Sequence, residues 1–147
     1  MSPECGARGE YEMSEAENTQ LAKDAYAAFG RGDIPAVLEL MTDDIEWVFP
    51  GPADVLPNAG TFSGKAAVGE WFGTLDANLE FQVFEPREFI AQGDKLVALV
   101  YIENTVRSTG AKLAVHEAHL WSFRDGKVAG FRVYTDTEAA AAAFRGQ

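Results

Sequence analysis

Hydrophobic positions along the chain change their main period near residue 78. Up to about residue 78 they recur every three or four residues, and from Leu79 onward they alternate, so helices are expected first and strands afterwards. Leu21, Ala25, Ala28 and Phe29 fall at i, i+4, i+7 and i+8, which predicts a helix capped by Asn18 or Thr19 and ended by Gly30 and Gly32. Asp33 reads as the cap of a second helix with Pro35 in its first turn, where a missing N–H costs nothing, and with Val37, Leu38 and Met41 on its buried face. Ile45 to Phe49 reads as a short strand with Trp47 and Phe49 on one side, followed by the stiff loop GPADVLPNAG over 51–60. Ser63 is expected to cap a third helix, with Ala67, Val68, Trp71, Phe72 and Leu75 along one side.

Leu79 to Gln92 is the first long strand, bent at Glu85-Pro86 because proline interrupts a ladder. Gln92-Gly93-Asp94 turns it, Lys95 to Arg107 returns, and Ser108-Thr109-Gly110 leads into a long hairpin over Lys112 to Asp136. Asp125-Gly126 supplies residues that tolerate positive φ at its tip. Glu117, His119, Trp121 and Phe123 share one face of its first strand, opposite Ala118, Leu120 and Ser122. Thr135 to Glu138 has capping-box spacing and starts an alanine-rich helix, Ala139 to Phe144. Helices gathered at one end and a strand meander at the other describe an α+β fold, three helices packed on the concave face of a curved, mainly antiparallel sheet. The space between the layers is then a pocket.

Residues 1–17, rich in Gly, Glu and Ser and without periodicity, read as a disordered tail, and 18–147 as a single domain. Met13 reads as a second start. Composition then narrows the partners. Twelve Lys and Arg against 23 Asp and Glu leave a formal charge of -11 with no basic cluster, which argues against nucleic acid. Cys5 has no second cysteine to pair with, so a reducing, cytoplasmic setting is the default. No apolar run approaches a membrane span. No His, Cys and carboxylate spacing suggests a metal, and no glycine-rich strand-to-helix turn suggests a nucleotide, so no cofactor is expected.

A carboxylate and an imidazole two residues apart on a core-facing strand are the sharpest chemical signal. Imidazole as a side-chain type takes up and releases protons under physiological conditions, so His119 can carry a proton between a substrate carbon and oxygen, with Glu117 as base or as the group that orients it. The bland alternative is a core histidine whose nitrogens are satisfied by its neighbours. Trp47, Phe49, Trp71 and Trp121 would wall an apolar site for a flat hydrophobic ligand, and equally describe simple core packing. Tyr101, on the strand before the hairpin, is counted with the substrate contacts, although its position also suits a solvated or dimer-facing surface.

The helix ending AAFGRGD at 27–33, LMTDDIEW at 40–47, AGTFSGKAAVGEWF at 59–72, and HLWSFRDGK followed by VYTD within 119–136 together resemble the SnoaL-like group of the nuclear transport factor 2-like superfamily, over about residues 18–144. The resemblance implies a cone-shaped domain, a homodimer formed through the outer sheet face, and a relation to ketosteroid isomerases and polyketide cyclases. Transfer of activity is residue by residue. The carboxylate base of a ketosteroid isomerase corresponds here to Phe49, its tyrosine lies close to Ala25 with Tyr26 as neighbour, and its second acid lies near His119. The cyclase aspartate on the last strand corresponds to Val133, which becomes part of the pocket wall, while the polar pair on the preceding strand matches Glu117 and His119. The two aspartates and arginine of the related epoxide hydrolases have no counterpart. The expected function is cofactor-independent proton transfer, of isomerase, cyclase or dehydratase type, on a hydrophobic carbonyl compound. The alternative is a non-catalytic binding or scaffold member, which Phe49 and Val133 favour.

Overall fold

The computed structural model describes residues 14–147, so Cys5, Met13 and positions 1–13 of the expected tail lie outside the described residues. The elements run α1 (Glu15–Gly30), α2 (Ile34–Glu39), β1 (Met41–Phe49), β2 (Gly60–Ser63), α3 (Lys65–Asn78), β3 (Leu79–Gln92), β4 (Lys95–Val106), β5 (Lys112–Arg124), β6 (Lys127–Tyr134) and α4 (Thr137–Phe144). The strands form one six-stranded sheet in the order β2-β1-β6-β5-β4-β3. Only β1 and β6 pair in parallel; the other neighbours are antiparallel. The fold is α+β, with helices on one face of a curved sheet, as expected.

Several boundaries move, each for a local reason. Ser14, not Asn18 or Thr19, caps α1: its hydroxyl accepts from the Glu17 N–H at 3.0 Å, and the Glu17 carboxylate accepts from the Ser14 N–H at 2.8 Å. This reciprocal box satisfies two otherwise orphaned donors. Asn18 is therefore inside the helix and buried, its amide donating to the Gly93 carbonyl at 3.2 Å. Glu15 accepts from the Gly93 N–H at 2.9 Å, so the start of α1 is tied to the β3–β4 turn. Met41 opens β1 and does not complete α2, and Ser63 does not cap α3 because it is still paired with Glu46 in β2. Gly64, with φ of 90°, makes the corner instead, and no side chain caps α3.

Curvature comes chiefly from β3. Its register against β4 slips between Phe81 and Val83 and again between Pro86 and Glu88, the second next to the expected proline bend. Each extra residue increases local twist and curls the sheet around its inner face. At the hairpin tip Asp125 and Gly126 have φ of 55° and 76°, the paired positive values that a two-residue turn needs to match strand twist.

The inner face is built in rows. Trp47, Phe131, Trp121 and Leu96 are successive neighbours across β1, β6, β5 and β4, and Val133, His119 and Ala98 form the adjacent row. Trp47 stacks on Phe131 with centroids 3.9 Å apart and packs at 5.4 Å against both Trp71 and Phe72 of α3. Burying an aromatic of this size contributes about 2–3 kcal/mol, so this contact ties the third helix to the sheet. Within the stretch expected to start α4, Asp136 is the cap, accepting from the Ala139 N–H at 2.9 Å.

Candidate active site

Between the helices and the concave sheet face lies a cavity of about 90 Å³. Apolar and aromatic side chains make most of its wall, among them Trp47, Phe49, Trp71, Trp121 and Val133. Glu117 and His119 also line it, so the structure brings together every residue expected at the site except one. Tyr101 stands apart. It pairs with His116 across β4 and β5, between the inward-facing Val100 and Ile102, and strand alternation therefore turns it to the outer face. There its hydroxyl donates to Glu103 at 2.5 Å and Arg87 lies over its ring, 4.5 Å from the centroid. The Glu103 acceptor holds the Tyr101 phenol above its ordinary pKa. Tyr101 is thus corrected from a substrate contact to an outer-surface residue.

In the cavity four side chains from two elements form a hydrogen-bonded chain. The Trp121 indole donates to the Tyr26 hydroxyl at 3.1 Å, Tyr26 meets His119 Nδ1 at 2.7 Å, and His119 Nε2 meets Glu117 Oε1 at 2.8 Å. Indole nitrogen can only donate and an ionised carboxylate can only accept, so a neutral imidazole between them donates from Nε2 to Glu117 and accepts at Nδ1 from Tyr26. Tyr26 oxygen accepts from Trp121 and its proton points at Nδ1, so the imidazole carries its own proton on Nε2 and donates it to Glu117. This tautomer follows from the donor inventory and is inferred from the network. Burial, which opposes a phenolate, raises the Tyr26 pKa far above its ordinary value, while the Trp121 bond opposes that rise and the Glu117 charge adds to it. Tyr26 is therefore a lasting proton donor to His119.

Position on the elements explains this convergence. Glu117, His119 and Trp121 alternate inward along β5, facing Val100, Ala98 and Leu96 of β4. Tyr26 reaches them from α1, with its ring edge-on to Trp121 at 5.2 Å and stacked on His119 at 5.9 Å. Phe131 closes the other side of the imidazole, edge-on at 5.0 Å. Side-chain exposure is 4% for His119 and 11% for Glu117, so the carboxylate is the more accessible end of the chain.

Tyr26, which the family resemblance sets beside the isomerase tyrosine position without selecting it, is the fourth member of the chain. Its signal was present: Asn18, Ala22, Ala25, Tyr26 and Phe29 follow an i, i+4, i+7, i+8, i+11 stripe, which is hidden if Asn18 is taken for the cap. Among the described residues no group of three or more His, Cys, Asp or Glu side chains could hold a metal ion. No helix among them is long and apolar enough to cross a membrane.

The family model described as the SnoaL-like domain matches residues 22–131. The structure is similar to that of an NTF2-like protein from Burkholderia xenovorans, with 36% identity, 90% of this chain and 98% of that one covered, and a TM-score of 0.83. An NTF2-like protein from Burkholderia pseudomallei is 27% identical over 90% of this chain and 98% of its own, at a TM-score of 0.81. TerC, co-crystallised with polyporic acid, is 30% identical over 88% of this chain and 98% of its own, at 0.78. No curated protein matches the chain.

Proposed function

The chain belongs to the SnoaL-like domain family, within the nuclear transport factor 2-like superfamily, and from that premise we propose that it is a cofactor-independent proton-transfer enzyme acting on a hydrophobic carbonyl compound. Isomerisation, cyclisation and dehydration all begin with the same step, removal of a proton beside a carbonyl. The observation that carries the reading is the chain from Tyr26 through His119 to Glu117, ending at the wall of an apolar cavity.

Roles within the pair follow from access. Nδ1 of His119 is held by Tyr26 and Nε2 by one oxygen of Glu117, so the proton passes between enzyme and substrate at the other carboxylate oxygen. Glu117 is the base toward carbon and becomes a carboxylic acid as the carbon–hydrogen electron pair moves into the enolate. His119 orients the carboxylate and, through the Nε2 proton, stabilises its charged form before the transfer and donates a weaker bond to the neutral acid afterwards. Tyr26 holds the imidazole in the tautomer that makes this work. Trp47, Phe49, Trp71, Trp121 and Val133 exclude water and hold the flat substrate.

That TerC was crystallised with polyporic acid favours a ring compound bearing oxygen functions as the substrate class here, and polyporic acid, which has no exchangeable carbon-bound proton beside its carbonyls, serves as a binding probe. Hydrophobic ketones and polyketide-like aromatics are incubated with the protein in D₂O, and loss of the proton α to the carbonyl is followed by NMR. The expected result is enzyme-dependent exchange on one class, lost by about a hundredfold or more in Glu117→Gln and His119→Gln while binding persists. Binding without exchange in the wild-type protein would sink the catalytic reading and leave a ligand-binding member of the family. The same reading includes a homodimer through the outer sheet face, where Ile90, Leu99 and Tyr134 are exposed.

A further inference from the structure

Strict alternation along β3, counted from Leu79, would turn Val83, Glu85 and Arg87 toward the cavity. The strand does otherwise. The buried, inward-facing residues of β4 from Val106 back to Leu96 stand opposite Leu79 and Phe81, then Phe84 and Pro86, then Phe89 and Ala91. The two register slips bracket the middle pair, so one extra residue inverts the phase after Phe81 and a second restores it after Pro86.

Inverting the phase has a consequence on each face. Glu85 and Arg87 go outward, where they pair at 2.8 Å and Arg87 lies over the Tyr101 ring, and the apolar cavity is spared two charges that it would hold at a high cost. Phe84 goes inward, three residues from Phe81 and yet on the same side of the sheet, with ring centroids 5.6 Å apart. Phe84 lines the cavity and is only half-buried. Its ring centroid is 5.0 Å from Phe29 and 6.0 Å from Tyr26, both on α1, and 6.3 Å from His119 on β5. Phe81 lines the cavity with Phe29 and Phe84 as its ring neighbours, and Phe89 meets Tyr26 at 6.1 Å from outside the cavity wall. Of the three phenylalanines of β3, Phe84 alone is both in the wall and against the hydrogen-bonded chain.

We propose that Phe84, turned inward by the paired bulges, is the residue that selects an aromatic ring at the site, holding it beside His119 while Glu117 addresses the carbon next to its carbonyl. The assignment rests on the reading of the cavity as a substrate site and adds the group that tells an aromatic ring from a saturated one. An aromatic ring has an electron-rich face and an electron-poor edge, and it gains from tilted contact with Phe84 and its neighbours what a saturated ring of the same skeleton does not.

The test uses two ketones of one carbon skeleton, 1-tetralone with an aromatic ring and 1-decalone without, and compares their binding by equilibrium dialysis. The wild-type protein is expected to prefer 1-tetralone by roughly fivefold. Phe84→Leu keeps an apolar side chain and loses the ring, and is expected to bring the preference to about twofold or less with 1-decalone bound as before. Phe84→Tyr, which keeps a ring at that position, is expected to keep the preference. Phe81→Leu removes a ring of the same wall that stands farther from the imidazole, and is expected to retain most of it. Equal binding of the two ketones by the wild-type protein, binding of neither, a preference unchanged in Phe84→Leu, or one lost equally in Phe81→Leu would each overturn the assignment. Proton transfer is judged separately, by deuterium uptake at the carbon beside the carbonyl, which either ketone can show whatever their relative affinity.

Discussion

Tyr26 is the residue on which the site's proton inventory turns. Replacing it by Phe removes the donor to Nδ1 while keeping the ring contacts with Trp121 and His119. ¹⁵N NMR of the imidazole is expected to report one tautomer, protonated on Nε2, in the wild-type protein and a mixture in Tyr26→Phe. Stability gives a second readout. The folded-state pKa of Tyr26 lies above the unfolded value of about 10. Its contribution is then complete below pH 10 and is lost as pH rises beyond it, because the unfolded chain releases a proton that the folded one keeps. The slope above pH 10 is expected to be steeper in the wild-type protein than in Tyr26→Phe by about 1.4 kcal/mol per pH unit, measurable by urea titration. Tyr101, also raised, adds to the wild-type slope in the same direction but is solvent-screened, so the difference between the two proteins isolates Tyr26. Residue identity on β5 was legible from alternation alone, since a period of two assigns a face to each of Glu117, His119 and Trp121. Tyr26 was not singled out, because the stripe read along α1, Leu21, Ala25, Ala28 and Phe29, passes beside it and the resemblance names it only as a neighbour of the isomerase tyrosine position.

At the scale of elements, local rules located the hairpin and the helices but not their ends. The capping box at Ser14 and Glu17 carries the same three-residue spacing that was recognised at Thr135, yet it fell in a stretch without hydrophobic period and was read as tail. Ser14→Ala is expected to cost about 1 kcal/mol, seen as a lower denaturant midpoint with unchanged slope. β2 was missed for a different reason. Four residues, half exposed and next to an irregular loop, offer too little alternation to be read, and their pairing with β1 is what makes them a strand. The parallel pairing of β1 with β6 joins Trp47 to Phe131 across more than half the chain, and no local pattern encodes such a partner. Tyr101 shows the opposite limit. Its strand and alternation were legible, but the inner side of β4 is marked by Leu96, Ala98, Val100 and Ile102, and an odd-numbered tyrosine between them faces outward.

For the whole molecule, the outer sheet face and the net charge decide what company it keeps. Ile90 is 58% exposed and Tyr134 52%, and with Leu99 they lie on the face opposite the cavity. Tyr134 and Leu99 both pair with Ala118, which places them side by side across three strands. If this face joins two copies, Leu99→Glu with Tyr134→Glu is expected to convert a dimer to a monomer in sedimentation, because like charges would meet across the axis. A wild-type monomer at all concentrations would rule the interface out. The charge of -11 makes anionic ligands poorer candidates than neutral ones at low ionic strength. The family and the cone of sheet and helices were readable in outline from the order of weak motifs. The unpartnered side-chain oxygens of Asn58 and Asn104 were not, since whether such atoms are satisfied depends on neighbours that only the folded chain supplies.

All three tryptophans of the chain, at 47, 71 and 121, line the same cavity. Light absorbed near 295 nm is therefore taken up only by groups that a bound molecule touches or nearly touches. The emission colour and lifetime of the unlabelled protein become a private signal from its interior, undiluted by chromophores elsewhere. An occupant that absorbs near 340 nm would quench nearly all of that light, and one that merely displaces water would shift it to the blue, so the chain carries its own optical screen for candidate occupants of the cavity.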